Sequence, residues 1–355
     1  MADLVEISCS TVELDGLLLD AARPEELAGM LIAALRLDLP TVCTATDIGP
    51  LSAALVALGL APGIGEGANN AVSVIGSEGP RPRGLVDDFS LANALRAGVA
   101  GGGGPEILVH LAAISREAGV VGFGQMIRVL AAETPEVEPE WLQEYGVPGL
   151  LSSLGDTLLD VPTVMGDLKE HLPPAPPTPD ERSRLVFVMA RASGAEAVCR
   201  ARKGITEAAG ECRVFGSERE AVSSVLSGEI GEGAMLVVGG CGPRGGPGLL
   251  RLDALGRSLE EAGFEGPVLT DGLVPNDTVG TWISLFTPEA AAGGVLSLLR
   301  DGDTLRIDLV EGRIRTRARD FESREPGEYP ESARTGYVAR YARTALPALE
   351  GACFG

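Results

Sequence analysis

Five prolines stand within the nine residues Leu172–Asp180, Leu-Pro-Pro-Ala-Pro-Pro-Thr-Pro-Asp. Each proline lacks a backbone N–H and fixes φ, so neither a helix interior nor a central strand passes through such a run. A stiff extended connector does. The chain has 355 residues, a length that suits two domains better than one core. The expected organisation is therefore an N-terminal domain over 1–172, a linker over 173–180 and a C-terminal domain over 181–355.

Hydrophobic spacing differs on the two sides of that break. Before it, the apolar run Gly16–Asp20, the helical spacing of Leu27, Met30, Leu31, Ala34 and Leu35, and the run Thr41–Ala45 predict strand, helix, strand. Ile48, Leu51, Leu55 and Leu58 share one face of a second helix that ends at Gly59. Two more amphipathic helices, around Phe89–Leu95 and Ile107–Ile114, flank the turn Gly101–Gly104. Beyond the break, short apolar runs dominate: Leu185–Met189, Ala197–Cys199, Cys212–Phe215, Met235–Val238, Val268–Thr270 and Leu305–Leu309. Ser217 to Glu220 has capping-box spacing, Thr287-Pro288 reads as a helix start, and Glu311-Gly312 reads as a hairpin turn. The fold class expected is α/β: an N-terminal α/β/α domain followed by a β-rich barrel or sandwich.

Charge removes some classes of function. A net charge of −21 opposes binding to nucleic acid or to an anionic membrane, both of which attract clustered Lys and Arg. No apolar run approaches the roughly 18–20 residues of a membrane span. The first residues, Met-Ala-Asp-Leu-Val-Glu, have no basic region followed by an apolar one, so the expected location is cytoplasmic. The six cysteines lack paired spacing, and the two histidines, His110 and His171, lie far apart. Reduced, mostly buried thiols and a core His110 are the expectation, with no metal site.

One group of motifs is specific. Cys241-Gly-Pro-Arg-Gly-Gly-Pro-Gly248 is followed by Leu269-Thr-Asp-Gly272, by Thr287-Pro-Glu-Ala-Ala-Ala-Gly-Gly294, and by Arg300-Asp-Gly-Asp303 with Ile307-Asp308. In this order and spacing the blocks resemble the C-terminal domain of the dihydroxyacid dehydratase and 6-phosphogluconate dehydratase family. Pro82-Arg83, Phe89, Asn93-Ala94, Val109–Ile114 and Glu117–Gly119 are similar to its N-terminal domain, and Gly336–Tyr341 with Gly351-Ala352 to its tail. The resemblance implies an α/β domain joined to a barrel-like swivelling domain, in a dimer. It also implies dehydration of a 2,3-dihydroxy acid with an iron–sulfur cluster, magnesium and a serine base.

Departures from the family pattern fall on the chemistry. Where the family carries a Cys-Asp-Lys ligand triplet, this chain has Arg23-Pro24-Glu25, and arginine does not ligate iron. The region of an earlier ligand cysteine has no counterpart in this shorter chain. The segment between Pro40 and Ile48 is contracted, and Cys43 lies near the place of the third cysteine. The family's serine base aligns with Pro275, and two of its acidic positions align with Cys241 and Arg251. The expectation is a protein with no cofactor.

The residues left for a site are Asp271, Asp277 and Cys241 as catalytic candidates and Arg244, Asn276, Gly245 and Gly246 as substrate contacts. Each has a bland alternative: a buried inert thiol for Cys241, and loop-capping turn residues for the others. Gly240-x-Gly242-x-x-Gly245 superficially matches a dinucleotide fingerprint, but Pro247 and the lack of a placed ribose acid oppose it.

Three functions stay open. One is a cofactor-free lyase that eliminates or cyclises a small amino-acid- or hydroxy-acid-derived substrate with loss of sulfate or phosphate, in a heterodimer with a homologous partner. Another is a non-catalytic regulatory or scaffolding homologue, as a heterodimer or a homodimer. The last is a cluster-independent hydro-lyase acting on a 2,3-dihydroxy acid.

Overall fold

The computed structural model describes residues 1–21, 23–44, 47–62, 79–190, 194–246, 248–275, 280–329 and 335–355. Packing divides the chain into two compact units, Met1–Arg182 and Ser183–Gly355.

The first unit is mainly helical. Helix α1 is Ala2–Cys9, β1 is Leu17–Leu19, α2 is Pro24–Leu37 and β2 is Thr41–Cys43. The two strands pair in parallel, Leu17 opposite Thr41 and Leu19 opposite Cys43, so the expected strand–helix–strand unit is present up to Cys43. Ala45 lies outside the described residues. Helices α3 (Pro50–Ala57), α4 (Pro82–Leu85), α5 (Asp88–Ala100), α6 (Gly104–Ala118) and α7 (Phe123–Glu133) follow. Then come β3 (Pro135–Val137), α8 (Pro139–Leu154) and the small hairpin of β4 (Pro162–Thr163) and β5 (Gly166–Asp167).

Helix α3 differs from its one-faced reading, because seven of its eight residues are buried. Ala53, Ala54 and Ala57 are small enough for neighbours to close over the side that an amphipathic helix leaves to water. Helix α5 begins with a capping box, in which Asp87 accepts from Ser90 N at 2.8 Å and Ser90 Oγ accepts from Asp87 N at 2.9 Å. Asn93, fully buried on α5, donates to Leu159 O and accepts from Leu159 N, both at 2.8 Å. Both polar ends of the amide are thereby satisfied without water.

The proline run lies along α8. Ser152 Oγ donates to Pro173 O at 2.7 Å and Trp141 Nε1 donates to Pro177 O at 3.1 Å. Carbonyls are the only backbone hydrogen-bonding groups a proline has, and side chains of α8 take up two of them.

The second unit is a closed barrel of eight strands: β6 (Glu181–Ala190), β7 (Ala195–Arg202), β8 (Glu207–Phe215), β9 (Ala234–Val238), β10 (Val268–Thr270), β11 (Trp282–Thr287), β12 (Thr304–Asp308) and β13 (Arg313–Thr316). Around the barrel they run β6-β7-β11-β10-β9-β8-β12-β13, and Arg313 opposite Met189 closes the circle. The expected mixed α/β fold with a C-terminal barrel is the one observed.

Strand β9 shows why the chain closes this way. Met235 and Val237 join the luminal core, while Leu236 and Val238 join a second core outside the sheet. That outer core is filled by Ala221 and Val225 of α9 (Glu218–Leu226) and by Leu255 and Leu259 of α10 (Asp253–Glu261). With both faces covered, the continuous apolar run replaces the alternation of a half-exposed strand. Ser217 caps α9 by accepting from Glu220 N at 3.3 Å, and Glu220 reaches back to Gly216 N at 3.0 Å. The expected hairpin at Glu311-Gly312 joins β12 to β13, with Asp308 opposite Arg313.

Thr287-Pro288 does not start a helix. Strand β11 ends at Thr287, the Thr287–Pro288 bond is cis, and only short 3-10 turns follow at Ala290–Ala292 and Val295–Leu298, separated by Gly293-Gly294. The helix after the glycine-rich block, α10, begins at Asp253. Arg251 first forms a bridge with Leu273, which keeps Leu249–Arg251 out of α10.

Helices α5 and α6 meet at Gly98, where an added Cβ would stand 2.5 Å from Ile107 Cγ1. Gly98→Ala is expected to lower the urea stability of the full chain by about 1–3 kcal/mol. In Gly98→Ala/Ile107→Ala the loss should be smaller than the sum of the two single losses, because the shortened side chain removes the clash. Strict additivity in the unfolding midpoints would contradict this packing.

Candidate functional site

The glycine-rich loop Gly239–Gly246 leaves the barrel at the end of β9, beside the end of β10. Asp271, one residue past β10, is 1% exposed. Its Oδ1 accepts from Cys241 N at 2.8 Å, and its Oδ2 accepts from Gly240 N at 3.1 Å and Ala290 N at 2.9 Å. One carboxylate thus joins the loop after β9, the end of β10 and the segment after β11. Glu289, also buried, places Oε2 against Arg244 N at 2.9 Å and Gly245 N at 3.0 Å. A Cβ on Gly242 would overlap the Glu289 carboxyl, so the loop needs glycine there in order to pack.

Further supports come from the C-terminal segments. The Tyr329 ring lies against Gly239 and Gly240, since a Cβ on Gly239 would fall 2.6 Å from the ring. Arg244 is exposed, and its Nε donates to Ala345 O at 3.2 Å. Residue Ala345 directly follows α11 (Gly336–Thr344), whose Tyr341 hydroxyl donates to Ala352 O at 2.5 Å. Gly246 N donates to Gly242 O at 2.8 Å, which folds the loop on itself.

Burial sets the protonation of these groups. Desolvation raises the Asp271 pKa above the usual carboxylate range, opposed by the N–H groups of Cys241, Ala290 and Gly240. Glu289 is raised for the same reason, and the Asp271 charge adds to it. The Cys241 thiol is 1% exposed, and burial, with Asp271 adding to it, pushes its pKa far up. It therefore stays protonated at neutral pH. Burial and the Asp271 charge push Tyr329 up to about 12.

The structure thus gathers Asp271, Cys241, Arg244, Gly245 and Gly246 around one loop. Asn276, Asp277 and Pro247 lie outside the described residues. Glu289 and Tyr329 belong to the same cluster, although sequence reasoning did not single them out. For Glu289 the available signal was its place in the Thr-Pro-Glu-Ala block. A lone tyrosine 90 residues from the loop gave none.

In the first unit, Arg23 precedes α2 and donates to Glu26 Oε1 from Nε at 3.1 Å and from NH2 at 2.5 Å. Cys43, at the end of β2, is fully buried, and desolvation holds its thiol up at about 12. Glu25, Asp47, Glu106 and His110 line a small cavity of about 90 Å³. His110 is half-buried, with Nε2 3.4 Å from Glu106 Oε1. Among the described residues no group of three or more His, Cys, Asp or Glu is placed to hold a metal ion. A cluster needs several thiolates converging on iron; one buried protonated thiol and a paired arginine do not fit it. No helix among the described residues is long and apolar enough to cross a membrane.

A barrel whose glycine-rich mouth is tied by two buried acids defines the class of domain, and comparison with known proteins supplies the family. The family model for the dihydroxy-acid/6-phosphogluconate dehydratase C-terminal region matches residues 190–352. The dihydroxy-acid dehydratase of Geobacter metallireducens is 32% identical over 305 residues, covering 77% of this chain and 55% of the relative. That of Geobacter sulfurreducens is 31% identical over 303 residues (76% and 55%), and that of Citrifermentans bemidjiense 30% over 303 residues (76% and 55%). The chain belongs to the dihydroxy-acid dehydratase family, and it spans about half the length of these curated relatives.

The two acids should respond differently to amide substitution. Glu289 uses a single oxygen for both loop N–H groups, so Glu289→Gln can turn its carbonyl toward them and is expected to cost under about 1 kcal/mol. Asp271 uses both oxygens, so Asp271→Asn sets an NH2 against at least one N–H and should cost about 1–3 kcal/mol. Because the folded Glu289 pKa is raised, the folded state takes up its proton first as pH falls. The stability of wild type relative to Glu289→Gln should therefore rise as pH drops through that raised pKa toward the unfolded value, and fall again toward neutrality. Urea titrations at stepped pH check both statements, and equal costs for the two amides would refute the assigned geometry.

Proposed function

We propose that this chain is a subunit of a cofactor-free lyase. It acts by elimination or cyclisation on a small amino-acid- or hydroxy-acid-derived substrate that carries a good leaving group such as sulfate or phosphate. The observation that carries this reading is the occupation of the loop's acids: Asp271 holds three N–H groups and Glu289 two. A carboxylate committed in this way positions a loop and is a poor proton acceptor for a substrate.

The substitution of Arg23-Pro24-Glu25 for a ligand triplet removes the groups that would polarise a hydroxide leaving group. Sulfate or phosphate departs without such help. The exposed Arg244, next to the loop's turn, is the cation the loop offers to a departing anion. In the reaction a base takes the proton from the carbon next to the substrate carboxyl, and the electron pair either forms a double bond as the anion leaves or closes a ring by displacing the anion.

The base then comes from a homologous partner in a heterodimer, as shared sites between related subunits allow. The same occupation of Asp271 and Glu289 also supports a second reading, a non-catalytic homologue that regulates or scaffolds such a partner.

The test uses the full chain, alone and co-expressed with homologous short partners, incubated with O-phospho and O-sulfo amino acids. The expected result is anion release that requires both chains, survives EDTA, and drops about tenfold or more in Arg244→Gln. Stoichiometric iron and sulfide after anaerobic purification, with chelator-sensitive turnover, would overturn the cofactor-free reading. A soluble monomer that associates with no homologue would overturn the partner. Association without release in any pairing would favour the non-catalytic reading.

A further inference from the structure

We infer that the mouth of the barrel is a binding site for a small aliphatic monocarboxylate, separate from the glycine-rich loop and independent of the proposed reaction. A cavity of about 560 Å³ opens there, within the range of roughly 300–1,000 Å³ usual for small-ligand pockets. Its walls include Leu269, Phe286, Leu296, Leu305 and Phe321. An aliphatic body fits such a lining, and a charged or sugar-like one does not.

Polarity enters on one side only. Register places Leu305 opposite Thr316 and Ile307 opposite Ile314. Leu305 and Ile307 belong to the luminal core, so Thr316 faces the lumen, and the exposed Arg315 beside it also lines the cavity. Thr316 Oγ1 accepts from Ala318 N at 3.2 Å, and its hydroxyl proton is left to donate. Arg319 also lines the cavity. It is exposed and forms no ion pair with any described residue, on a chain whose net charge is −21. A guanidinium and a hydroxyl beside an apolar hollow match a carboxylate head on an aliphatic tail.

The rim is fixed well enough to be preformed. Arg324 NH1 and NH2 bind Asp303 at 2.5 and 3.0 Å, NH2 also binds Asp320 at 3.0 Å, and Gly327 N donates to Ser297 O at 2.7 Å. These bonds hold the segment bearing Arg319 and Phe321 across the barrel end.

Calorimetry of the full chain with octanoate, below the concentration at which it self-associates, tests the site. One saturable site is expected, tightening from hexanoate to decanoate, with octanol and octylamine at least about tenfold weaker. Arg319→Gln, on an exposed side chain, should weaken octanoate by about tenfold and leave octanol unchanged. Leu296→Trp should fill the cavity and abolish binding of both, with circular dichroism reporting the fold. Should that variant not fold, Arg319→Gln and the alcohol comparison still decide. Equal binding of octanoate and octanol, no change in Arg319→Gln, or no saturable binding would overturn the site.

Discussion

The second unit is organised around the buried carboxylate of Asp271. A carboxyl group at 1% exposure is unfavourable unless its lone pairs are filled. Here three backbone N–H groups from two chain segments fill them. Hydrogen bonds to a charged acceptor are each worth about 1.5–3 kcal/mol, so the path of the loop after β9 and the placement of the segment after β11 are decided together. Glu289 then sits one residue before Ala290, itself an Asp271 partner, and takes two further N–H groups of the same loop. The second acid is therefore delivered by the first.

The peripheral contacts follow from that arrangement. Tyr329 packs on Gly239 and Gly240 because the loop presents its Cα surface outward there. The C-terminal tail closes the other side, where Arg244 meets Ala345 and Tyr337, Tyr341 and Phe354 pack edge to face. Arg324 and Arg300 tie the intervening segment, largely through backbone carbonyls and Asp303. In a strongly acidic chain, Arg244, Arg300 and Arg324 hold these segments across the barrel end.

The barrel was legible in the sequence because its strands carry a simple signal. Met235–Val238 is apolar without interruption, and a strand covered on both faces must be. The blocks Leu269–Gly272 and Thr287–Gly294 identified the family, but spacing alone did not reveal that they meet through Asp271 and Ala290, since that contact is made by a backbone group. Thr287-Pro288 carries a helix-start signal that the tertiary structure overrides: Glu289 is held in the loop, and Gly293-Gly294 breaks the chain soon after. Helix α3 misled in another way, because Ile48, Leu51, Leu55 and Leu58, in and beside it, imply a single apolar face while the alanines between them permit burial all round. Arg244 was legible as a loop cation, whereas its contact with a tail 101 residues away was not.

These constraints bear on what a family motif signifies. Gly242 is glycine because Glu289 occupies the space of a side chain, and Glu289 is acidic because two loop N–H groups need an acceptor away from water. Neither requirement refers to a substrate. Both are met within the barrel domain itself. Arg23 at the start of α2, by contrast, makes its contact with Glu26 in the adjacent turn. The glycine-rich block is thus an observation about packing.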